Sequence, residues 1–503
     1  MAIAVDAPEV SIPIGYKDIA TLTDGFYYIY RRLWCTDMEF DAFRKESTGK
    51  AYAHFGTRCT LKDDWVWKYV TVPQNIATHK FFPFISFEKD YTKYNSHDKK
   101  LKVKNRLLCY ATHLDRCIYQ YYSLLLNNYY NKRVKNNGID KVAVAYRTDL
   151  HKSNIHFAKE VFDFVKSQGS CYVIVGDFKS FFDSLDHRYL KQRLCDLLGV
   201  DRLSEDWYAV YKSITKYAEC RIEDIASFLG KKYSPQEYKD MNKCFKLMGT
   251  KQFHKFKKQI FRNLRESDDD KTAFHSAIEK NKKSYGIPQG SSISAVLANV
   301  YMLDFDKNIH NYVQLYDGFY MRYCDDFIIV LPLSNKEEFL SKYKRIREFI
   351  DNIPKLKLEK QKTQIYEYQD QSIINRFSYI SDSPEERPKQ RIDYLGFSFD
   401  GQKVTVRDKT LSKYYYRMYR KVKSAKYWSL QKKRVQTKGL YQLYSAHANW
   451  SDSQSQNPKK KNGNFLTYVH RAEKEFGKDE LIGRGTSRHM VKIKRAIAKW
   501  RKT

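Results

Sequence analysis

The chain has 503 residues, of which 42% are hydrophobic and 16% aromatic, with only 11 prolines. Disordered chains lack the apolar and aromatic side chains whose burial offsets the entropy lost on folding, so this composition excludes a disordered protein. The length exceeds that of one ordinary domain and predicts two or three packed units. Lys and Arg number 91 against 58 Asp and Glu, which gives a net charge of +33 at pH 7. A surplus of that size predicts a polyanionic partner, and nucleic acid is the leading one.

The sequence carries neither a membrane pattern nor a secretion pattern. It has no run of roughly 18 or more apolar residues, and the N-terminal MAIAVDAPEV lacks a charged segment followed by an apolar core. The nine cysteines occur singly and never as C-x-x-C, which argues against a zinc ribbon or a disulfide framework. We therefore expect a cytoplasmic protein with reduced thiols and no membrane partner.

The first clear elements lie in the second hundred residues. Apolar residues at helical spacing between Ile155 and Val165, followed by Gly169 as a stop signal, predict a helix. The segment CYVIVGDF (171–178) is a continuous apolar run of strand length. Asp177 is therefore expected at the C-terminal end of a buried strand.

A helical pattern then runs from Ser180 to about Leu198 and ends at Gly199. From about 200 to 285 the sequence is polar and highly charged without a strong strand signal, which predicts an inserted helical subdomain. The segment GIPQGSSISAVLANVYMLDFDKNI (286–309) begins as a Gly/Pro/Ser loop and continues as a long helix.

The next segment, YMRYCDDFIIVLP (320–332), has two apolar strands on either side of a polar tip, which predicts a hairpin. A helix at about 335–352 and a short strand at 363–368 follow. A second hairpin, IDYLGFSFDGQKVTV, is expected to turn at Asp400-Gly401.

The C-terminal part, residues 401–503, concentrates the positive charge. It holds 27 Lys and Arg against 6 Asp and Glu, a net +21 of the total +33. The segment SDSQSQNPKKKNGN (451–464) has the composition of a polar linker between helices.

Three aspartates stand out chemically. Asp177 is expected at a strand end, and Asp325 and Asp326 occupy the tip of a hairpin. Two divalent ions about 4 Å apart need oxygen ligands of this kind on a rigid scaffold. A single Asp is more often a cap or turn residue, but adjacent charges inside an apolar segment are costly without a counter-ion. The pattern therefore favours a two-metal centre.

Five segments, in this order, resemble the palm motifs of reverse transcriptases: VIVGDFKSFFDSLDH, GIPQGSSISAVLANVY, RYCDDFIIVL, LEKQKTQI and YLGFSF. The resemblance covers roughly residues 147–400, and five motifs in order are far more specific than a lone Y-x-D-D. It implies an α+β right-hand polymerase with fingers, an antiparallel-sheet palm and a helical thumb. The expected domains are an N-terminal region and fingers (1–170), a palm (171–400) with a helical insertion at about 200–285, and a basic helical thumb and tail (401–503).

The resemblance also implies roles for individual residues. Asp177, Asp325 and Asp326 would be catalytic and would hold two Mg²⁺ ions, with Mn²⁺ as an alternative. The carbonyl of Phe178 would be a further metal ligand, and Tyr323 would pack beneath the primer terminus.

The incoming nucleotide would meet a second group of residues. Phe182, five residues after Asp177, falls where reverse transcriptases place an aromatic gate that collides with a ribose 2′-hydroxyl, whereas viral RNA-dependent RNA polymerases have an Asp there. Gln289 and Gly290 resemble the loop that lies against the incoming base and sugar, where glycine permits close approach of the backbone. A role for Phe182 in the core is the competing interpretation.

Three cations complete the nucleotide set. Arg147 and Lys152 stand where the fingers would meet the triphosphate, and Lys362 where a palm lysine could protonate pyrophosphate. In a chain with 91 Lys and Arg, any one of them is more often a solvated surface charge.

Two C-terminal features are expected to contact primer and template. Tyr394, Leu395 and Gly396 resemble the primer grip hairpin, although the same pattern also serves as an ordinary β-turn. The tyrosines at 414–416 and 419 are interleaved among Lys413, Arg417 and Arg420, as in a thumb that holds phosphates and stacks on bases. The alternative is a basic helix that packs its tyrosines inward.

Within the family, AYRTDLHKSNIHFAKEVFDF looks more like bacterial abortive-infection and defence-associated reverse transcriptases than like intron or viral enzymes. That resemblance implies dNTP substrates, a DNA product, a noncoding RNA template, homo-oligomers and a role in phage defence. The primer is left open between a nucleic acid end and a tyrosine hydroxyl. The competing hypotheses are a retron-like or group II intron-derived reverse transcriptase and a catalytically silent RNA-binding scaffold.

Overall fold

The structure is a computed structural model in which two compact units alternate along the chain. The first unit comprises Met1–Asn136 and Phe182–Tyr301, and the second comprises Asn137–Phe181 and Met302–Thr503. The linker predicted at 451–464 lies, except for its last residue, outside the described residues. The residues described are 37–50, 52–95, 100–230, 247–262, 274–359, 362–380, 390–431, 440, 443–444 and 464–501.

Helices and strands follow one another in both units. The helices are α1 (Asp37–Glu46), α2 (Asp64–Thr71), α3 (Pro73–Ala77), α4 (His113–Asn136), α5 (Asn154–Gln168), α6 (His187–Leu198), α7 (Glu205–Thr215), α8 (Ile222–Phe228), α9 (Thr250–Lys258), α10 (Ser292–Tyr301), α11 (Leu303–Gln314), α12 (Lys336–Asp351), α13 (Asp408–Gln431), α14 (Phe465–Phe476) and α15 (His489–Arg501). The strands are β1 (Phe84–Asn95), β2 (Lys100–Tyr110), β3 (Cys171–Asp177), β4 (Ala218–Arg221), β5 (Ile260–Arg262), β6 (Phe274–Ser276), β7 (Glu279–Lys280), β8 (Phe319–Tyr323), β9 (Asp326–Pro332), β10 (Gln364–Gln369), β11 (Ser372–Asn375), β12 (Ile392–Tyr394), β13 (Phe397–Phe399) and β14 (Val404–Val406).

The first unit contains a four-stranded sheet in the order β2-β1-β4-β7. Strands β1 and β2 form a long antiparallel hairpin, and β4 pairs with β1 in parallel. The stretch at 200–285, predicted as helical, contains helices α7 to α9 but also contributes β4 and β7 to this sheet. These strands have 4 and 2 residues, which is too short for an alternating pattern to be visible in the sequence.

The second unit is built on a five-stranded antiparallel sheet in the order β11-β10-β3-β9-β8. The sheet confirms the expected strand at 171–178 and hairpin at 320–332. Its central strand, β3, is buried along almost its whole length, which is why the sequence there is continuously apolar. Helix α5 packs on this sheet through Val161, Phe162 and Val165, which belong to its main hydrophobic core.

Two sets of helix boundaries differ from the prediction. The helix expected from Ser180 begins at His187, because the Asp186 carboxylate caps its N-terminus by accepting the Tyr189 N–H at 2.9 Å. Ser180 itself has φ 48°, which is outside the helical region. The long helix expected at 286–309 is interrupted at Met302, between α10 and α11.

The register of β3 against β9 is fixed by close packing. Gly176 pairs with Phe327, and a Cβ at position 176 would overlap the Phe327 ring. The neighbouring pair in the same register is Asp177 with Asp326. The glycine therefore lets the two strands meet closely at the pair next to the two carboxylates.

None of the helices in the described part of the chain combines the length and the apolar character that crossing a membrane requires.

Candidate active site

The three aspartates meet at one edge of the five-stranded sheet. Asp177 ends β3 and pairs with Asp326, the first residue of β9. Asp325 lies in the two-residue turn that joins β8 to β9, since Tyr323 pairs with Asp326. The carbonyl of Asp325 accepts the Phe178 N–H at 3.1 Å, which ties the turn to the end of β3. Strand pairing thus brings together carboxylates that are nearly 150 positions apart in the chain.

The charges at this edge are strongly coupled. Lys362 Nζ donates to Asp177 Oδ1 at 2.6 Å, and the Asp177 and Asp326 side chains share a hydrogen bond. Asp326 lies at the surface, yet desolvation by the surrounding protein, followed by the negative charges of Asp325 and Asp177, raises its pKa to about 7. Lys362 opposes that shift. The three carboxylates carry more negative charge than the Lys362 ammonium balances.

This chemistry suits hard divalent cations. Carboxylate oxygens are the ligands that Mg²⁺ prefers, and a raised carboxyl pKa indicates a place where added positive charge is favourable. Among the described residues, no three acidic, His or Cys side chains are already arranged around a common point as metal ligands. In this arrangement the Lys362 ammonium and the shared hydrogen bond balance the charge, so cations would take over partners that the aspartates now have within the protein.

The turn between β8 and β9 has an unusual backbone. Cys324 has φ 62°, a left-handed conformation that favours glycine. Its thiol receives a hydrogen bond from the Tyr146 hydroxyl at 3.2 Å. Tyr323, expected beneath a primer terminus, is half-buried and its ring lies 6.4 Å from that of Phe157.

Two of the three predicted cations have partners within the second unit other than the aspartates. The Arg147 guanidinium is fully buried and forms a bidentate pair with Asp149 at 2.9 and 2.7 Å. It also donates to the carbonyl of Asp140 at 2.9 Å, so its geometry is that of a structural residue and weighs against a triphosphate contact. Lys152, partly exposed, pairs with Glu160 at 3.1 Å.

The predicted nucleotide contacts Phe182, Gln289 and Gly290 belong to the first unit. Phe182 is half-buried, and its carbonyl accepts the Ile287 N–H at 2.9 Å. The Gln289 amide hydrogen-bonds the Asp183 carboxylate.

Glycine is required at position 290 for a structural reason that does not involve a nucleotide. Its φ is 114°, and a Cβ would lie 2.5 Å from the carbonyl oxygen of Cys109. Any other residue would collide with that backbone. The glycine is therefore explained by the packing of this loop alone.

The segment Tyr394-Leu395-Gly396 forms the turn between β12 and β13. Tyr394 is 2% exposed, and among the described residues its hydroxyl has no hydrogen-bond partner. The Tyr394 ring is therefore part of the core, and the turn residues Leu395 and Gly396 are half-buried. The Leu395 carbonyl accepts a hydrogen bond from the Asn154 side chain at 2.9 Å.

Helix α13 has two different faces. Tyr414, Met418 and Val422 are buried, so part of the tyrosine cluster packs inward. Tyr416 and Tyr419 are exposed at 58% and 46%. They lie among cations, including an Arg420 guanidinium 5.7 Å from the Tyr416 ring centre. The exposed face combines aromatic rings and positive charge, as expected of a nucleic-acid surface.

Comparison with known proteins decides the family. The family model described as reverse transcriptase (RNA-dependent DNA polymerase) matches residues 97–399, more than half of the chain. The chain belongs to the reverse transcriptase family. The match begins about 50 residues before the segment that holds the recognisable motifs, and it includes the β2 strand. A comparison with curated protein sequences found no match.

Solved structures similar to this reverse transcriptase include two telomerases. One is the apo telomerase from Candida tropicalis truncated from its C-terminal domain, with 12% identity, 70% of this chain covered and a TM-score of 0.37. This chain spans 61% of that structure, less than two thirds of its length. The other is the telomerase from Candida albicans in complex with the TWJ fragment of telomeric RNA, with 13% identity, 97% of this chain and 76% of that chain covered, and a TM-score of 0.36.

The sequence did not point to two buried charged residues of this reverse transcriptase. Arg322 in β8 and Asp306 in α11 are both buried and form an ion pair at 2.6 Å. A signal was available, because an arginine inside an apolar strand requires a buried anionic partner. The identity of that partner could not be inferred without the fold.

Proposed function

We propose that this chain synthesises DNA on an RNA template from dNTPs, with Asp177, Asp325 and Asp326 as the catalytic carboxylates. The observation that carries the proposal is the register of β3 against β9, which sets Asp177 opposite Asp326 beside Asp325. The raised pKa of Asp326 supports a site that binds cations in preference to keeping three separate negative charges.

The three carboxylates and the carbonyl of Phe178 would hold two divalent ions, Mg²⁺ or Mn²⁺. Such ions activate a primer 3′-hydroxyl and stabilise the leaving pyrophosphate. The Lys362 side chain is 52% exposed, so its ammonium can move from Asp177 to a substrate. It would then donate a proton to pyrophosphate as a general acid.

The polymerase subdomains follow from this assignment. The five-stranded sheet of the second unit would be the palm, and its basic C-terminal helices α13 and α15 the thumb. Fingers would come from the sequence before β3 and from the inserted segment at about 200–285 of the first unit. Phe182 would select deoxyribose, and Gln289 and Gly290 would face the incoming base.

A primer extension assay tests the proposal. Purified protein with an RNA template, an annealed DNA primer, Mg²⁺ and labelled dNTPs should extend the primer. Asp177→Asn should abolish extension while RNA affinity stays unchanged, because affinity comes from distributed cations. Asp163→Asn is the matched control, since Asp163 is an exposed residue of α5 that forms an ion pair with Lys159 one helical turn earlier. Full activity of Asp177→Asn would contradict the proposal.

Sugar selection is tested separately. Phe182→Ala should admit ribonucleotides, so the ratio of dNTP to rNTP incorporation should fall in a folded variant. Phe181 is buried and packs on Phe178 in the second unit. Phe181→Leu is therefore the control, and it should leave the ratio unchanged. An unaltered ratio in Phe182→Ala would place the gate at another residue.

We also propose that the template is a dedicated noncoding RNA and that the reaction serves defence against phage. The sequence AYRTDLHKSNIHFAKEVFDF supports this choice through its resemblance to defence-associated reverse transcriptases. Sequencing the nucleic acid that co-purifies with the protein from cells should return one abundant RNA and its DNA copy. Plaque counts should rise when Asp177→Asn replaces the wild type. A random RNA population and unchanged plaque counts would contradict the proposal, and a retron-like or intron-derived enzyme would become the better assignment.

A further inference from the structure

Arg322 is the largest fully buried side chain of the described chain. It lies in β8, three residues before Asp325. Its Nε and Nη2 donate to the two carboxylate oxygens of Asp306 at 2.8 and 2.6 Å. Its remaining terminal nitrogen, Nη1, donates to the carbonyl oxygen of Cys324 at 2.8 Å. One guanidinium thus joins helix α11 to the turn that carries Asp325 and Asp326.

The environment of this pair is rigid. Asp306 is 0% exposed and also accepts a hydrogen bond from the Tyr320 hydroxyl at 2.8 Å. Both backbone groups of Arg322 are held by the segment at 142–144, because the Arg322 N–H donates to the Val142 carbonyl at 2.8 Å and its carbonyl accepts the Val144 N–H at 3.0 Å. Neither the main chain nor the side chain of Arg322 can shift without breaking several buried hydrogen bonds.

Stability alone does not explain such an arrangement. Desolvation of a buried ion pair largely cancels its Coulomb attraction, and well-packed apolar replacements are often neutral or stabilising. What an apolar pair could not supply is a donor aimed at the Cys324 carbonyl. That carbonyl belongs to the residue with φ 62° at the start of the two-residue turn, where an L residue is strained and a relaxed backbone would point elsewhere.

We infer that Asp306, Arg322 and Tyr320 form a turn clamp that positions the Asp325 and Asp326 carboxylates for divalent cations. The clamp fixes the orientation of the Cys324 peptide group, and the Phe178 N–H bond to the Asp325 carbonyl fixes the next one. Together they set the directions of both aspartate side chains. The three clamp residues are positioning residues and touch no substrate, and the inference rests on the proposed function of the aspartates.

The test removes the polar clamp without leaving a buried charge. The variant Asp306→Leu/Arg322→Met/Tyr320→Phe replaces all three polar groups by apolar ones of similar size, so its thermal stability should stay close to wild type. The matched control is Glu367→Leu/Arg376→Met, because that pair lies in the same unit, with Glu367 in β10 and Arg376 directly after β11, and joins Nε to Oε2 at 2.8 Å. Arg322→Lys is a second variant that keeps the charge but cannot donate to both Asp306 oxygens and to Cys324.

Two readouts separate positioning from folding. The first is Mn²⁺ affinity, measured by the EPR signal of free Mn²⁺ without substrate. The second is the Mg²⁺ concentration for half-maximal primer extension, with kcat. Loss of groups that orient metal ligands typically costs about 10- to 100-fold in metal affinity or activity. We expect Mn²⁺ affinity and kcat to fall by that range in the clamp variant and about 10-fold in Arg322→Lys, with wild-type values in the control.

Each outcome decides the inference. A folded clamp variant with wild-type Mn²⁺ affinity and Mg²⁺ requirement overturns it, and so does a lower melting temperature with no change in metal affinity. If the clamp variant does not fold, Arg322→Lys tests the turn clamp by the same two readouts, and wild-type values in that variant overturn it. If wild type binds Mn²⁺ through Asp325 and Asp326 but extends no primer, the proposed function fails, and the turn clamp is tested by Mn²⁺ affinity alone.

Discussion

Two turns of the second unit are built in similar ways. Each is a short hairpin turn that follows a tyrosine, and each begins with a non-glycine residue in the left-handed region, Cys324 with φ 62° and Leu395 with φ 45°. In each, a side chain from outside the turn donates to the strained carbonyl. Arg322 does so at the first turn, and Asn154 of α5 does so at the second.

The difference lies in the strength of the anchor. The first turn carries two carboxylates and is held by a buried, charge-assisted, bidentate pair. The second carries no charge and is held by a neutral amide, which also donates to the Tyr468 hydroxyl at 2.9 Å. Charged hydrogen bonds are roughly twice as strong as neutral ones. The stronger hydrogen bonds thus hold the first turn, where two negative charges lie side by side. The weaker ones hold the second turn, which carries no charge.

The largest expected effect comes from removing the charges of the first turn. Asp325→Asn/Asp326→Asn should lower the rate of dNTP incorporation by more than about a thousandfold, which corresponds to roughly 4 kcal/mol of transition-state stabilisation. RNA affinity should not change. Single-turnover primer extension and an RNA binding titration measure the two quantities. Substantial residual synthesis would contradict a catalytic role for the two carboxylates of the first turn.

In the absence of metal ions, the first turn should make the free energy of unfolding depend on pH. Because the pKa of Asp326 is raised to about 7, the folded protein holds a proton that the unfolded chain releases near its ordinary value. The free energy of unfolding should therefore fall as pH rises between about 4 and 7.

Asp326→Asn should remove this dependence. In EDTA it should be more stable than wild type at pH 8, by about 1 kcal/mol after allowance for solvent screening of this surface side chain. At pH 4 the two proteins should be equal. Urea unfolding at both pH values measures the difference, and a constant difference at the two pH values would contradict the shift.

A smaller effect is expected at the second turn. Asn154→Ala removes the neutral hydrogen bond to Leu395 together with the one to Tyr468, and each is worth about 1 kcal/mol. The KM for primer–template should rise about fivefold while kcat and the Mg²⁺ requirement stay constant. Asn375→Ala is the control, because its amide also donates to a neutral group of the same unit, the Gln364 side chain, at 2.9 Å. A change in the Mg²⁺ requirement would show that this turn is not a separate primer-binding element.

The smallest effect concerns backbone shape alone. Gly396 has φ 94°, and a Cβ there would meet only the Tyr468 hydroxyl and the Asn154 amide at 3.8 and 3.9 Å. Gly396→Ala should therefore cost about 1 kcal/mol of unfolding free energy from strain and none from collision. Gly477→Ala, at φ 98° in open space, is matched for strain. If only Gly396→Ala also weakens primer binding, the shape of the second turn is functional.

Local patterns in the sequence predicted the elements around the site. The run at 171–178, the hairpin at 320–332 and the helices at 154–168 and 336–351 all have a pattern that one element generates by itself. Asp325 and Asp326 were identifiable because adjacent charges interrupt an apolar hairpin, and Asp177 because it ends an apolar strand. Their meeting at one sheet edge followed from motif order, and the structure places them together.

The features that could not be predicted from the sequence depend on contacts between residues far apart in the chain. The hairpin at β1 and β2 mixes charged and aromatic residues and has no clean alternation. The pairing of Arg322 with Asp306 joins a strand to a helix, and no local period specifies it. Gly290 and Arg147 were assigned to the nucleotide from their places in the motifs, but the fold gives each a partner or constraint of its own.

The contact of Gly176 with Phe327 restricts β3 and β9 to one register. A slip of β3 by two residues along β9 would preserve the alternation of faces, and hydrophobicity alone would penalise it little. It would, however, bring a side chain against the Phe327 ring, where only a hydrogen fits. The contact therefore favours the one register of β3 and β9 in which Asp177 lies opposite Asp326, and this register needs no bound cation.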